Sequence, residues 1–158
     1  MIVEIADLDD PEVADLVRYH HAEMQRNSPP DMCFPLDLDG LKDERVTVLC
    51  IRKDGHVAAI GAMKRLDAER VEIKSMRTHP DFLRRGLAAI LLDAIIDRSR
   101  AEGFAILSLE TGSGPHFDAA LALYRRRGFE NGDAFAGYAN TEFNQCLHLH
   151  LDDATSPS

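Results

Sequence analysis

The sequence lacks the features that define several large classes of protein. Its longest apolar run, Leu87–Ile96, is interrupted by Asp93 and is too short to cross a bilayer. The N-terminus has no basic region followed by an apolar stretch, so we expect neither a signal peptide nor a transit peptide. Basic residues are outnumbered, 18 Lys and Arg against 27 Asp and Glu, and the net charge is −9. This balance argues against a nucleic-acid partner, and the composition gives no sign of a membrane partner.

Cysteine is also scarce, with residues only at Cys33, Cys50 and Cys146. An odd number at no recognisable spacing is typical of free thiols in a reducing compartment, so we predict a cytoplasmic protein. His148 and His150 would share one face of a strand, but the sequence offers no evident third ligand. We therefore predict no metal site.

The chain has the length and composition of one α/β (α+β) domain, which we place at residues 1–153, with a disordered tail at 154–158. A helix is predicted to begin with Asp10 as its N-cap and Pro11 in its first turn. In chain order we expect a strand at 1–5, this helix up to about 27, a helical turn at 38–42, strands at 46–52, 57–66 and 71–78, a helix at 85–102, a strand at 105–110, a helix at 116–127 and two strands within 129–151. This order predicts a mixed, mostly antiparallel sheet of about seven strands with helices on both faces.

The turn between the strand at 71–78 and the helix at 85–102 has the properties of an anion site. The first N–H groups of a helix have no partner within the helix, and they lie at the positive end of its dipole. Arg84 and Arg85 add positive charge that pairs well with phosphate oxygens. Gly86 lets the backbone approach a ligand closely, because it has no side chain.

Two motifs, in the expected order, give the chain a family resemblance. Leu83-Arg84-Arg85-Gly86-Leu87-Ala88 resembles the Q/R-x-x-G-x-G/A turn of the GNAT superfamily of N-acetyltransferases, with Leu83 in place of Gln or Arg. The family pattern A-x-x-L-Y-x-x-x-G-F is matched in full from Ala120 to Phe129. The segments S-P-P, A-M-K-R-L-D, E-I-K-S-M-R-T and L-S-L-E-T-G are similar to the YsnE-like branch of bacterial GNATs, over about His20–Tyr138. The resemblance implies the GNAT fold, in which the fourth and fifth strands splay apart.

The resemblance also implies acetyl-CoA as the co-substrate, with no metal. The backbone N–H groups of 84–88 would hold its diphosphate, and the edge of the fourth strand would pair with its pantetheine arm. A backbone N–H in the same strand would polarise the thioester carbonyl. Many members carry Asn three positions before the alanine of the second motif, where this chain has Phe117. The predicted cofactor-binding residues are Met76, Arg77, Thr78, Arg84, Arg85, Gly86, Leu87, Ala88, Phe117, Ala120 and Tyr124.

Three side chains are candidates for the acid and base chemistry of acetyl transfer. Tyr124 occupies the position of the family's usual general acid, which protonates the departing thiolate; the alternative is a core tyrosine. Glu72 lies eleven positions before Leu83, the offset at which the histone-type branch carries a catalytic glutamate. Glu110 is the competing base, because ligands collect at the C-terminal ends of strands in open α/β sheets.

The residues of the fourth strand also bear on the choice of acceptor. Regular alternation would place Glu72, Lys74, Met76 and Thr78 on one face of the strand. Lys74 and Arg77 would then either favour an acceptor with a carboxylate or pair with the two candidate base glutamates. The segments Ser28–Phe34 and Phe135–Tyr138 are expected to flank the acceptor side of the cleft.

These observations predict a cytoplasmic N-acetyltransferase that transfers an acetyl group from acetyl-CoA to a primary amine of a small, amino-acid-like molecule. Transfer would be direct, within a ternary complex. The alternatives are a protein or peptide N-acetyltransferase and a non-catalytic acyl-CoA-binding module. The C-terminal strands could pair in a homodimer, as they do in many members of the superfamily.

Overall fold

The apolar runs of the chain form one seven-stranded sheet in the computed structural model, which describes residues 2–32 and 36–151. The strands are β1 (Ile2–Ile5), β2 (Val46–Lys53), β3 (His56–Arg65), β4 (Arg70–Thr78), β5 (Ile106–Thr111), β6 (Glu130–Asn131) and β7 (Gln145–His150). Their spatial order is β1-β2-β3-β4-β5-β7-β6, and every neighbouring pair is antiparallel except β4 and β5. The predicted mixed sheet is confirmed, and the predicted tail lies outside the described residues.

The helices begin where the sequence supplies capping groups. They are α1 (Pro11–Asn27), α2 (Leu38–Leu41), α3 (Leu87–Ala101) and α4 (Asp118–Arg126). The Asp10 carboxylate accepts a 2.9 Å hydrogen bond from the Glu12 N–H, which confirms the predicted start of α1. Asp37 caps α2 in the same way through the N–H of Gly40. In the part of the chain that the structure describes, no helix is long and apolar enough to span a membrane.

The helices cover both faces of the sheet and bury two apolar cores. On one face, side chains of α3 such as Leu92 and Ile95 pack with Val71 and Leu107 of the central strands. On the other face, α1 and α2 pack against β2 and β3, with Val13 fully buried. Each such aliphatic side chain stabilises the fold by roughly 1.5–3 kcal/mol. The two cores therefore hold the central strands of the sheet in fixed positions.

The parallel strands β4 and β5 separate after only three register pairs. Arg70 pairs with Ile106, Val71 with Leu107 and Glu72 with Ser108, and beyond this point the two strands no longer pair. The splay implied by the family resemblance is confirmed. It opens a gap between the C-terminal halves of two central strands, where side chains from both faces can reach a ligand.

A β-bulge in β4 changes which side chains face this gap. The register with β3 shifts between Ile60 and Ala62, and Ser75 takes a left-handed conformation with φ of 59°. Gly61 lies opposite, where an added Cβ would come within 2.6 Å of the Met76 sulfur. Because the bulge inserts one residue, the Met76 side chain packs in the core beneath α3. The expectation that Met76 shares a face with Glu72 and Lys74 is therefore wrong.

The C-terminal part of the chain forms the predicted pair of strands, but with a long connection. β6 has only two residues, and it pairs with β7 through Glu130 and Asn131. The connecting segment, residues 132–144, crosses the open ends of β5 and β7 and brings Tyr138 and Asn144 to the gap between β4 and β5.

Candidate active site

Two clefts meet in the gap between β4 and β5. The first, with a cavity volume of about 170 Å³, is lined by α1, β4, β5, α4 and the 132–144 segment. We call it the acceptor cavity; its polar lining includes Glu72, Lys74, Ser75, Arg77, Glu110 and Tyr138. The second, the donor cleft, runs between β4 and the helices α3 and α4 towards Leu83 and Ala88. The clefts share a wall made of Met76, Arg77, His116, Ala120 and Tyr124.

The loop at the outer end of the donor cleft has the geometry of an anion site. Arg84 and Gly86 both have positive φ, 64° and 74°, and no side chain caps the N-terminus of α3. Such a backbone turns successive N–H groups towards one point in solvent. Arg84, Arg85 and Gly86 are exposed, while Leu87 is buried, so Leu87 can contribute only its N–H group. The residues present therefore fit the diphosphate of coenzyme A.

Tyr124 lies where the two clefts join. Its ring is buried against Phe129, with the ring centroids 5.6 Å apart, and only 7% of the residue is exposed. Within the part of the chain that the structure describes, its hydroxyl makes no hydrogen bond. Burial raises the pKa of Tyr124 to about 12, although Arg77 acts in the opposite direction. The hydroxyl therefore keeps its proton at neutral pH and can donate it.

Glu72 is part of a buried cluster rather than an open base. It is 3% exposed, and its Oε2 accepts a 2.6 Å hydrogen bond from the Tyr138 hydroxyl. The same oxygen lies 3.3 Å from the Lys74 ammonium, which also donates to the Tyr138 oxygen at 2.5 Å. Burial and the neighbouring Glu72 charge raise the pKa of Tyr138, so its hydroxyl stays protonated. The charge of Glu72 is thus already neutralised by its neighbours.

Glu110 differs from Glu72 in that it forms no ion pair within 4.0 Å among residues 2–32 and 36–151. Its Oε2 accepts a 2.9 Å hydrogen bond from Asn144, whose amide also donates to the Met32 carbonyl oxygen. No hydrogen bond to Oε1 occurs among residues 2–32 and 36–151. Burial raises the pKa of Glu110, while the Asn144 hydrogen bond and Lys74 partly oppose this shift. A carboxylate with a raised pKa is a better proton acceptor near neutral pH.

Arg77 is the remaining charged group of the acceptor cavity. Its Nε donates a 3.0 Å hydrogen bond to Nδ1 of His20, and its guanidinium lies 5.8 Å from the centre of the Tyr19 ring. Burial lowers the pKa of His20 to about 3, so His20 stays neutral and accepts this bond. The hydrogen bond between His20 and Arg77 forms because α1 packs against β4, and no local sequence motif predicts this contact.

The remaining predicted cofactor-binding and acceptor-flanking residues lie along the two clefts or next to them. Phe117 sits at the start of α4 and packs edge-on against Phe143, with the ring centroids 5.5 Å apart, at the inner end of the acceptor cavity. Met76, Thr78, Ala88 and Ala120 line the donor cleft. In the two segments expected to flank the acceptor, Tyr138 and Met32 contact site residues. Phe135 is buried against Tyr138 and His148. Cys33 and Phe34 lie outside the described residues.

One of the two histidines considered as metal ligands, His148, makes hydrogen bonds within the protein. His148 hydrogen-bonds Ser108 through Nδ1 at 2.7 Å and the Asp133 carbonyl oxygen through Nε2 at 2.8 Å. Among the residues that the structure describes, no group of three or more His, Cys, Asp or Glu side chains is arranged to hold a metal ion.

The family of the chain follows from its sequence match and this geometry together. The model of the GNAT acetyltransferase family matches residues 11–129, from the start of α1 to the end of the second motif. The chain belongs to the GNAT acetyltransferase family. It is an acyl-CoA-dependent N-acetyltransferase, and enzymes of this family use acetyl-CoA as the co-substrate.

Similar proteins agree with this assignment along nearly the whole chain. The uncharacterized N-acetyltransferase YedL of Escherichia coli is 38% identical over 149 residues, 94% of each chain. The uncharacterized N-acetyltransferase YsnE of Bacillus subtilis is 38% identical over 138 residues, 87% of this chain and 91% of its own. This match confirms the resemblance to the YsnE-like branch.

Solved structures show the same fold. A Klebsiella pneumoniae protein provisionally described as an acyl-CoA N-acyltransferase has a TM-score of 0.79 at 27% identity, covering 95% of this chain and 97% of its own. A GNAT family acetyltransferase of Elizabethkingia anophelis, solved with acetyl-CoA bound, has a TM-score of 0.71 at 15% identity, covering 95% and 97%.

Proposed function

We propose that the protein acetylates the primary amine of a small molecule, by direct transfer in a ternary complex. The observation that carries this proposal is the meeting of the donor cleft and the acceptor cavity at Tyr124. A donor in one cleft and an acceptor in the other would bring their reacting groups together at the shared wall. The small volume of the acceptor cavity, which is lined by residues of α1 and by Tyr138, favours a small acceptor over a protein segment.

Glu110 is the base in this proposal. The acceptor amine must lose a proton as its nitrogen bonds to the acetyl carbon, and the proton must go to a nearby group with a free lone pair. Glu110 offers Oε1, and its raised pKa suits the task. Glu72 pairs with the Lys74 ammonium and accepts a hydrogen bond from Tyr138, so it already has a counter-charge within the protein. Glu72 instead fixes the wall of the acceptor cavity.

Tyr124 is the acid in this proposal. Acetyl-CoA supplies the acetyl group as a thioester, and the C–S bond breaks when the C–N bond forms. The departing sulfur needs a proton, and the buried hydroxyl of Tyr124 carries one throughout the neutral range. The backbone of β4 beyond Glu72, which β5 leaves unpaired, would hold the donor's extended arm.

A thiol-release assay with acetyl-CoA and a panel of primary amines tests the proposal. The wild type should release thiol with at least one small amine, and Glu110→Gln should lower kcat by about 10²- to 10⁴-fold, the usual worth of a general base. Glu130→Gln, a change on the exposed strand β6, is the matched control and should leave kcat unchanged. Turnover with peptides alone, or an active Glu110→Gln variant, would contradict it.

The predicted homodimer stays a prediction. The sheet edge nearest the C-terminus is β6, which presents only two residues for pairing with another subunit. Sedimentation velocity on the purified protein would give the oligomeric state directly.

A further inference from the structure

Arg77 is a half-buried cation that no carboxylate of the described chain neutralises. Among residues 2–32 and 36–151, no acidic side chain lies within 4.0 Å of its guanidinium, and its hydrogen bond goes to neutral His20. Only Nε is used, so both terminal nitrogens remain without a hydrogen-bond partner in that part of the chain. A guanidinium removed from water without a counter-charge is unfavourable, and a bound anion would offset that cost.

The acidic groups nearby are not available to supply that counter-charge. Glu72 is committed to Lys74 and Tyr138, and Glu110 is held by Asn144 through one oxygen. The positive charge of Lys74 and the negative charge of Glu72 cancel each other. The acceptor cavity therefore carries one unpaired positive charge, on Arg77, and one negative charge with a free oxygen, on Glu110.

A second polar group of the cavity also lacks a partner. Ser75 is 9% exposed, and its Oγ is buried without a hydrogen bond among the residues that the structure describes. The side chain belongs to the bulge of β4 and lines the same cavity as Arg77. Buried hydroxyls normally have partners, so an unpaired one at a cavity wall points to a ligand atom. A hydroxyl can donate to a carboxylate oxygen, as can a guanidinium.

We propose that the acceptor is a small amino acid, whose carboxylate binds Arg77 and Ser75 while its amine lies at Glu110. This inference rests on the proposed function and adds the chemical class of the acceptor. A zwitterion would satisfy both unpaired charges of the cavity at once, whereas a simple amine would leave Arg77 without a counter-charge. Tyr19 and His20 hold the guanidinium in place, which suits the fixed geometry of a carboxylate.

The test compares L-amino acids with their carboxamides, which keep the amine and lose the negative charge. With acetyl-CoA saturating, the wild type should acetylate at least one amino acid with a kcat/KM about 10- to 100-fold above that of its carboxamide, the range expected for a hydrogen-bonded charge pair. Arg77→Gln should remove this preference by lowering kcat/KM for the acid, with the carboxamide changed less than about threefold. Ser75→Ala should also lower kcat/KM for the acid, by a smaller factor than Arg77→Gln does.

Controls separate recognition from folding and from donor binding. Arg18→Gln removes an exposed cation of α1 outside the cavity and should leave both substrates unchanged. Arg77→Lys keeps the charge without the guanidinium fork, so it should retain part of the preference for the acid. It takes the place of Arg77→Gln in the test if Arg77→Gln proves unstable. The KM for acetyl-CoA, measured in parallel, should not change in any of these variants.

Several outcomes would overturn the inference. Equal kcat/KM for acid and carboxamide in the wild type would do so, as would turnover of amines without any turnover of amino acids; both leave the proposed function standing. A raised KM for acetyl-CoA in Arg77→Gln, with unchanged acceptor preference, would assign Arg77 to the donor. No thiol release with any amine or amino acid, despite acetyl-CoA binding, would instead refute the proposed function itself.

Discussion

Replacing Glu72 by Gln should lower the stability of the protein and leave its catalytic base in place. The Glu72 and Lys74 side chains are only 3% and 10% exposed, so water cannot solvate the ammonium when its counter-charge is removed. Breaking a buried ion pair in this way typically costs about 3–5 kcal/mol. A chain of this size loses about 2–4 °C of Tm per kcal/mol, so Tm should fall by about 10 °C. Calorimetry gives Tm, and a thiol-release assay well below it gives kcat.

The double variant distinguishes lost charge balance from other damage. Glu72→Gln with Lys74→Met removes both charges and should recover most of the lost stability, because an apolar side chain replaces the stranded ammonium. Asp43→Asn, which breaks an exposed pair with Arg45, is the control and should shift Tm little. The reasoning fails if Glu72→Gln keeps the wild-type Tm while kcat falls by about 10²-fold or more, since Glu72 would then be the base.

Three further variants test the other parts of the site. Tyr124→Phe should lower kcat by about 10²- to 10³-fold without weakening acetyl-CoA binding by calorimetry; an unchanged kcat would remove its role as acid. Because burial raises the pKa of Glu110 above its ordinary 4.5, kcat/KM should rise with pH as this carboxyl loses its proton, and Glu110→Gln should abolish that limb. A raised pKa in the folded state means that ionised Glu110 lowers stability above that pKa, so Glu110→Gln should not lower Tm at pH 7; a clear drop would contradict the shift. Gly86→Ala should raise the KM for acetyl-CoA but not for the acceptor, since φ of 74° disfavours alanine in the anion loop; equal changes in both would argue against its assignment.

Local chemistry explains why most of the fold could be predicted from the sequence. Asp10 and Pro11 start α1 through a short-range hydrogen bond and a fixed φ, neither of which needs the rest of the protein. Asp54 and Gly55 turn the β2–β3 hairpin with φ of 54° and 82°, values for which these residue types are suited. Gly128, with φ of 96°, follows the end of α4 for a similar reason. Such elements are determined by a few adjacent residues.

The partners of the site residues could not be predicted, because they are set by packing between distant segments. Asn144 reaches Glu110 from a loop 34 residues later in the chain. His20 meets Arg77 across 57 residues, and Tyr138 meets Glu72 across 66. The sequence showed two carboxylates and three cations in β4 and β5, with no means of deciding which would pair. The choice between Glu72 and Glu110 as base stayed open for that reason.

The bulge at Ser75 connects the backbone of β4 to the charge of the acceptor cavity. In a regular strand, Arg77 would lie on the face opposite Lys74, towards α3, and Met76 would lie beside Lys74. One inserted residue exchanges these faces, as any one-residue slip of a strand does. The thioether is thereby packed beneath α3, and the guanidinium meets His20 and Tyr19 of α1. Gly61 leaves room for the Met76 sulfur, so a glycine within β3 permits the exchange that brings the Arg77 guanidinium beside His20 and Tyr19.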